Sequence, residues 1–128
     1  MKSDVYCIRR DVGITRAMSI LLEAGIGGLP VVDEDGFPEG MLSKTDLVRW
    51  MWETGASPGV QTKVADLMTP LAFTLPAEVM ISHAAALMAV EGVHRLPIVA
   101  TSGKVIGIVS ALDVVRFLAK HDGYLPRG

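Results

Sequence analysis

The chain has 128 residues, of which 50% are hydrophobic and 20% are charged, and its formal net charge at pH 7 is −2. A chain of this length buries most of its unfolded surface in one compact unit, and the composition argues against disorder. The charge argues against nucleic acid as a partner, because affinity for the phosphate backbone requires a surplus of lysine and arginine.

The first half of the chain predicts a strand, a helix, two strands joined by a turn, and a second helix. Apolar residues at three- and four-residue steps from Ile14 to Leu22 indicate the first helix, and Gly25 ends it because glycine accepts the left-handed cap conformation. Asp35-Gly36 predicts the turn. The other elements are Val5–Ile8, Leu29–Val32, Met41–Ser43 and a helix over Lys44–Glu53.

A connector and a short helical lead-in separate the two halves. Residues 54–62 combine Gly, Ser and Pro without periodicity, which is typical of a loop. Lys63–Met68 then predicts a short helix that ends at Pro70. Met1 falls where Met68 falls in the repeat described next, so we expect the chain to begin inside its first module.

The second half repeats the first at a fixed offset of 67 residues. Residues 12–51 align with 79–118 without gaps, and 13 of 40 positions are identical, whereas unrelated sequences would share about two or three. The same β-α-β-β-α order is predicted from strands at Ala72–Leu75, Leu96–Val99 and Val105–Val109, a helix from Ile81 ended by Gly92, and a helix over Ala111–Lys120. The predicted units are repeat one (1–53), the connector (54–62), repeat two (63–121) and a tail (122–128).

Each repeat carries a Gly-x-x-Ser-x-x-Asp motif between its last strand and its last helix, at Gly40–Asp46 and Gly107–Asp113. A serine followed three residues later by an acidic residue is typical of a helix N-cap, so capping is one interpretation. The other is ligand binding, because the N-terminus of a helix favours a phosphate. We favour ligand binding and keep capping as the alternative.

The two repeats resemble a tandem pair of CBS (cystathionine-β-synthase) domains. The features shared with that family are the Leu-Pro strand, the glycine turn, the Gly-x-x-Ser-x-x-Asp motif and the Asp66–Pro70 lead-in, and they cover almost the entire chain. The resemblance implies an α+β fold with two repeats related by a pseudo-two-fold axis, sheets packed together, helices outside and clefts between them. It also implies a regulatory module that binds an adenosine compound, forms a homodimer and acts on an effector domain or protein not present in this chain.

The resemblance assigns ligand-binding roles to residues of both repeats. The predicted set is Gly40, Met41, Ser43 and Asp46 in repeat one and Phe73, Thr74, His94, Arg95, Pro97, Gly107, Ile108, Ser110 and Asp113 in repeat two. The aspartates are ribose candidates, the serines lie towards the phosphate, and Gly107 allows a close approach of the ligand. Phe73 and Tyr6, with Met41 and Ile108, are interpreted as an apolar wall for the base or as plain core, and Thr74 as a contact to the base.

The two repeats differ directly before the shared Leu-Pro. His94-Arg95 of repeat two resembles the phosphate-binding residues in the γ subunit of AMP-activated protein kinase, since a guanidinium binds phosphate oxygens bidentately. Each residue alone is equally well explained as a solvated side chain or a local ion pair. Repeat one has Gly27-Gly28, which open space without charge, so we expect its site to be weaker, empty or suited to another ligand. Pro38 cannot donate to a strand ladder, so we also expect the strand it precedes to be shorter or at an edge.

The sequence lacks the motifs of common enzyme classes, and its three histidines lack metal-ligand spacing. We therefore expect no enzyme, no metal and no prosthetic group, with AMP, ADP or ATP as the ligand and S-adenosylmethionine as an alternative. The rival interpretation is a ligand-free module that dimerises through Trp50–Trp52 and Phe117–Leu118. The single cysteine, Cys7, is interpreted as a small buried hydrophobe, and the lack of a long apolar stretch favours a cytoplasmic protein without a membrane partner.

Overall fold

Two small β-sheets carry the fold, and the computed structural model describes residues 7–70, 73–79 and 81–123. The first sheet contains, in spatial order, β1 (Ile8–Arg9), β2 (Gly28–Val32), β3 (Pro38–Ser43) and β4 (Thr69–Pro70). The second contains β5 (Leu75–Pro76), β6 (Arg95–Val99) and β7 (Val105–Ser110). The helices are α1 (Ile14–Ala24), α2 (Lys44–Thr54), α3 (Val64–Leu67), α4 (Ile81–Glu91) and α5 (Ala111–His121). The α+β class and the repeated order of elements are confirmed.

The two sheets share one pairing scheme. In each, the first strand runs parallel to the second, and the second runs antiparallel to the third. Both antiparallel pairs have a register shift at equivalent positions, between Val31 and Val32 and between Ile98 and Val99. The two repeats therefore share even this local irregularity of the backbone, at positions 67 residues apart.

Pro38 lies at this register shift, and the prediction that its strand would be shorter or at an edge is wrong. β3 has six residues, as many as β7, and lies between β2 and β4. Pro38 is the first residue of β3 and pairs with Val32 just beyond the shift. At the start of a strand and beside a bulge, the missing N–H of proline does not interrupt the ladder.

Each repeat has its own hydrophobic core. The first core combines buried side chains of β1, α1, β2 and β3 with Val64 and Leu67 of α3. The second core contains Leu75, Ala84, Met88, Leu96, Ile98, Val109 and Val114. Because β4 also pairs with β3, the lead-in at the start of repeat two packs on repeat one. This segment fixes the position at which the chain enters the second repeat.

The helices end close to where the sequence predicts. Gly25 and Gly92, with φ of 65° and 68°, follow α1 and α4 in the left-handed conformation. The helices α2 and α5 begin at the predicted residues and extend one residue further than predicted, to Thr54 and His121. The residues that cap a helix are its neighbours in the sequence, so the ends of helices can be predicted from short patterns.

The first strand of each repeat is shorter than predicted, since β1 and β5 begin at Ile8 and Leu75. The predicted strand residues outside the described part of the chain are Val5, Tyr6 and Ala72. Cys7 precedes β1 and is exposed, so the prediction of a buried hydrophobe is wrong, although partial desolvation raises the pKa of its thiol. No helix among the described residues is long and apolar enough to cross a membrane.

Candidate ligand-binding site

Two cavities lie between the repeats, and each contains the aspartate of one Gly-x-x-Ser-x-x-Asp motif. The Asp113 cavity, of about 470 Å³, is lined by Gly25, Ile26, Gly27 and Gly28 of repeat one and by His94, Arg95, Ile108, Ser110, Ala111, Leu112, Asp113 and Arg116 of repeat two. The Asp46 cavity, of about 400 Å³, is lined by Met41, Ser43, Thr45, Asp46, Arg49, Thr69, Pro70, Phe73, Gly92, Val93, His94, Arg95 and Leu96. Each cavity combines the motif of one repeat with the residues around the start of the Leu-Pro strand of the other.

Asp46 is buried, with 4% of its surface exposed, and the protein occupies both of its carboxylate oxygens. Oδ2 accepts hydrogen bonds from the backbone N–H of Ser43 at 2.7 Å and from the Ser43 hydroxyl at 3.1 Å. Oδ1 accepts from the Arg49 guanidinium and from the Thr69 hydroxyl, each at 2.9 Å. A carboxylate offers about four acceptor positions, so Asp46 can bind a ribose only if one of these donors leaves.

Asp113 forms the same capping box but is half-buried. Its Oδ2 accepts from the Ser110 backbone N–H at 2.8 Å, and its own N–H donates to the Ser110 hydroxyl oxygen at 3.1 Å. Both motifs therefore cap a helix, as the capping interpretation predicts. Across the described residues, no three His, Cys, Asp or Glu side chains are grouped so that they could hold a metal ion.

In the first turn of each capped helix, the first and third N–H groups are bonded to the protein. The Ala111 N–H donates to the His94 carbonyl oxygen at 2.9 Å, and the Lys44 N–H donates to the Gly27 carbonyl oxygen at 3.3 Å. Together with the N–H of Asp113, these are backbone groups that we expected to bind the phosphate. Positive charge for a phosphate is instead available from arginine side chains.

The Arg95 side chain crosses between the repeats and lies over Gly27 and Gly28. The three atoms nearest to a Cβ placed on Gly27 are Nη2, Cζ and Nε of Arg95. A Cβ on Gly28 would meet Arg95 Cδ at 2.9 Å and Nε at 3.1 Å. The space that the glycines open is thus occupied by the arginine. Among the described residues, Arg95 has neither an ion pair nor a hydrogen bond from its guanidinium.

His94 and Arg95, which we predicted for the Asp113 site, line both cavities. His94 is exposed and Arg95 is half-buried. The guanidinium is placed against Gly27 and Gly28, which line the Asp113 cavity and not the Asp46 cavity. Its charge is therefore presented to the Asp113 cavity.

The residues predicted to contact the base are divided between the cavities. Phe73 and Met41 line the Asp46 cavity, whereas Ile108 lines the Asp113 cavity. Tyr6, the equivalent of Phe73, lies outside the described residues. The apolar wall that we predicted is therefore not one surface, and Phe73 does not lie beside Asp113.

Four predicted residues line neither cavity. Thr74 is exposed, Pro97 is fully buried in the core, and Gly107 is buried within β7. A Cβ on Gly40 would meet the carbonyl oxygen of Thr69 at 2.6 Å. The close passage of β4 is therefore a sufficient reason for glycine at position 40.

Four polar residues of the cavities were not predicted from the sequence, namely Thr45, Arg49, Thr69 and Arg116. Arg49 and Arg116 are equivalent positions, each three residues after a motif aspartate, and line the two cavities. Their identity in the repeat alignment is a signal that would have found them. Thr69 reaches Asp46 from 23 residues away, and no local pattern indicates that contact.

The family model of the CBS domain matches residues 1–53 and 64–120 of this chain. A curated protein of Methanopyrus kandleri is 34% identical over 94 residues, which cover 73% of this chain and 47% of that protein. The chain spans about half the length of the curated relatives that it matches.

Solved structures are similar along almost the whole chain. CBSX2 of Arabidopsis thaliana in complex with AMP is 25% identical, with a TM-score of 0.79 over 93% of this chain and 91% of that one. The CBS domain pair of MJ0100, in complex with 5′-methylthioadenosine and S-adenosyl-L-methionine, is 22% identical, with a TM-score of 0.84 over 94% of this chain and 93% of that one. At 22% identity, the similarity to the MJ0100 domain pair shows a shared fold and no more.

Proposed function

This chain belongs to the CBS domain family, and on that premise we propose that it is a regulatory module whose Asp113 cavity binds a phosphorylated adenosine ligand, AMP or ATP. The observation that carries the proposal is Arg95, a half-buried residue whose guanidinium has no counter-ion among the described residues. A partly desolvated cation favours an anionic ligand, and phosphate oxygens match the planar donors of arginine. The similarity to CBSX2, solved in complex with AMP, supports the same ligand class.

Groups around the Asp113 cavity fit the parts of a nucleotide. Arg95 binds the phosphate, and Arg116 on α5 adds a second positive charge to the same cavity. Asp113 accepts hydrogen bonds from the ribose hydroxyls at the start of α5, and Ile108 supplies apolar surface for the base. The volume of about 470 Å³ lies within the range of small-molecule sites. The proposal assigns binding to these residues and no reaction.

The Asp46 cavity is the weaker site for the same ligand. Its arginine, Arg49, is already paired with Asp46 at 2.9 Å, so its charge is largely compensated. The carboxylate oxygens of Asp46 are occupied by donors of the protein. A nucleotide would therefore have to break internal hydrogen bonds to enter, which costs affinity.

Isothermal titration calorimetry with AMP, ADP, ATP, adenosine and S-adenosylmethionine tests the proposal. We expect the phosphorylated compounds to bind most tightly, and S-adenosylmethionine weakly, because its sulfonium would approach two arginines. A nucleotide retained through purification would raise the absorbance at 260 nm before any titration. Failure of all five compounds to bind at millimolar concentration would refute the proposal.

Exposed apolar side chains on α2 and α5 favour a second role, homodimerisation that presents the module to an effector outside this chain. Trp52 is 87% exposed, and Val48 lies one turn before it on α2. Val115 and Leu118 form a similar exposed pair on α5. Apolar surface of this kind marks interaction sites. Sedimentation velocity should show a dimer that Trp52→Glu dissociates, whereas a wild-type monomer at all concentrations would exclude this role.

A further inference from the structure

At one pair of equivalent positions that differ in charge, the residues of the two repeats meet in space. His94-Arg95 and Gly27-Gly28 occupy equivalent positions at the offset of 67 residues. In the folded protein the Arg95 side chain of repeat two lies over Gly27 and Gly28 of repeat one. It occupies the space that side chains at positions 27 and 28 would otherwise fill. The glycine pair of repeat one and the arginine of repeat two therefore form one contact.

The backbone gives no reason for glycine at position 27. Neither Gly27 nor Gly28 has a positive φ, so other residues could adopt the same backbone conformation. The nearest atoms to a Cβ on Gly27 all belong to the Arg95 guanidinium group. At Gly28 the carbonyl oxygen of Leu42 lies at 3.1 Å as well. Position 27 is thus constrained by the arginine, and position 28 by both the arginine and the strand pairing.

We propose that Gly27 and Gly28 form the surface that positions the Arg95 guanidinium, and that Gly27 thereby sets the preference of the Asp113 cavity for phosphorylated over unphosphorylated adenosine. The inference rests on the proposed function of that cavity. Arginine has several rotatable bonds, and a guanidinium already held in place loses less entropy when it binds a phosphate. Gly27 is a positioning residue, since it contacts Arg95 and acts on the ligand through it.

Gly27→Ala is the variant that tests this role. The added methyl group displaces only the flexible end of Arg95, so we expect the protein to fold as the wild type does. Affinity for AMP should fall about tenfold, the loss of one charge-assisted hydrogen bond, while affinity for adenosine stays the same. Gly59→Ala is the matched control, because Gly59 has open space around it, no positive φ and no place in either cavity.

A double-mutant cycle separates positioning from a general effect of the methyl group. In Arg95→Ala protein, Gly27→Ala should change the affinity for AMP by less than about twofold, because there is no guanidinium to displace. Equal losses of affinity for AMP and adenosine would overturn the inference. An undiminished effect of Gly27→Ala in the Arg95→Ala protein would overturn it too.

A measurement without ligand keeps this inference distinct from the proposed function. If the wild type binds none of the five compounds, the proposed function fails and the selectivity of Gly27 fails with it. The nitrogen-15 NMR signal of the Arg95 Nε–H then tests whether Gly27 positions Arg95 in the absence of a ligand. That signal should shift and report greater mobility in Gly27→Ala and not in Gly59→Ala, and an unchanged signal would show that Gly27 does not position Arg95.

Discussion

The Asp113 and Asp46 cavities are built from the same motif at equivalent positions, yet they offer a ligand different chemistry. In the Asp46 cavity, the arginine that follows the motif and Thr69 from β4 both bond to the carboxylate. In the Asp113 cavity, Arg95 has no ion pair with any described residue and lies over the glycines of the other repeat. The motif starts a helix in both repeats, and the difference between the cavities comes from residues outside it.

The shared role of the two motifs explains why they persist at equivalent positions despite this difference. Ser43 and Ser110 both accept the N–H of an aspartate three residues on, and both have extended backbones at the start of a helix. A cap of this type contributes about 1 kcal/mol. Capping is therefore sufficient to explain the repeated motif, and the residue that indicates a ligand is Arg95.

Asp46→Ala should give the largest effect, a loss of roughly 3 kcal/mol in the free energy of unfolding. The change removes the acceptor of the Ser43 N–H and of the Thr69 hydroxyl together with the helix cap. The Arg49 side chain is 52% exposed, so water replaces its ion pair at little cost. Urea unfolding measures the loss. Asp113→Ala should cost less than Asp46→Ala, because Asp113 is only half-buried and water can replace more of its bonds. Equal losses would contradict the difference between the cavities.

Arg95→Ala should weaken binding of AMP and ATP by about 2 kcal/mol, a factor of about 30, and leave adenosine binding unchanged. The physical reason is that adenosine has no phosphate for the guanidinium to bind. The matched control is Arg49→Ala, which removes a guanidinium already paired with Asp46. That variant should leave nucleotide affinity unchanged in calorimetry. Parallel losses for AMP and adenosine would show that Arg95 acts through packing.

Arg95 also marks the limit of what the sequence predicts. The repeat alignment places Arg95 and Gly28 at equivalent positions, but alignment along the chain carries no information about contacts between equivalent residues. Helix starts and ends were predictable because the groups that cap a helix are close in sequence, as with Ser43 and Asp46. Local patterns of this kind defined most of the fold and none of the contacts between the repeats.

Two further differences from prediction have the same cause. Thr69 and Asp46 are 23 positions apart, and the bond between them depends on the pairing of β4 with β3. Pro38 is accommodated because β2 and β3 share a register shift, and a register shift belongs to the pair of strands and not to either sequence. Both features arise from long-range pairing, to which periodicity and motif spacing are insensitive.

Asp113→Ala should lower the affinity for AMP and for adenosine together, by roughly 1.5 kcal/mol or about tenfold, because both ligands contain the ribose. The effect is smaller than that of Arg95→Ala because Oδ2 of Asp113 also serves the Ser110 N–H. Circular dichroism of the variant confirms that it is folded before calorimetry is interpreted. If only AMP binding were weakened, Asp113 would not be the residue that binds the ribose and would instead act near the phosphate.

The hairpin turns also differ between the repeats, and here we expect the smallest change in stability. Asp33 Oδ1 accepts from the N–H groups of Asp35 and Phe37, each at 2.9 Å, whereas the equivalent residue Ala100 has no side-chain acceptor. These bonds are exposed, so Asp33→Ala should cost only about 0.5 kcal/mol in urea unfolding. The backbone bond across the turn is 2.9 Å long in both repeats, from Asp33 to Phe37 and from Ala100 to Lys104. Ala100→Asp should therefore stabilise the protein, though by less, because Ser102 Oγ already accepts the Lys104 N–H at 3.4 Å. A destabilising result would mean that the pseudo-symmetry of the backbone does not extend to the turns.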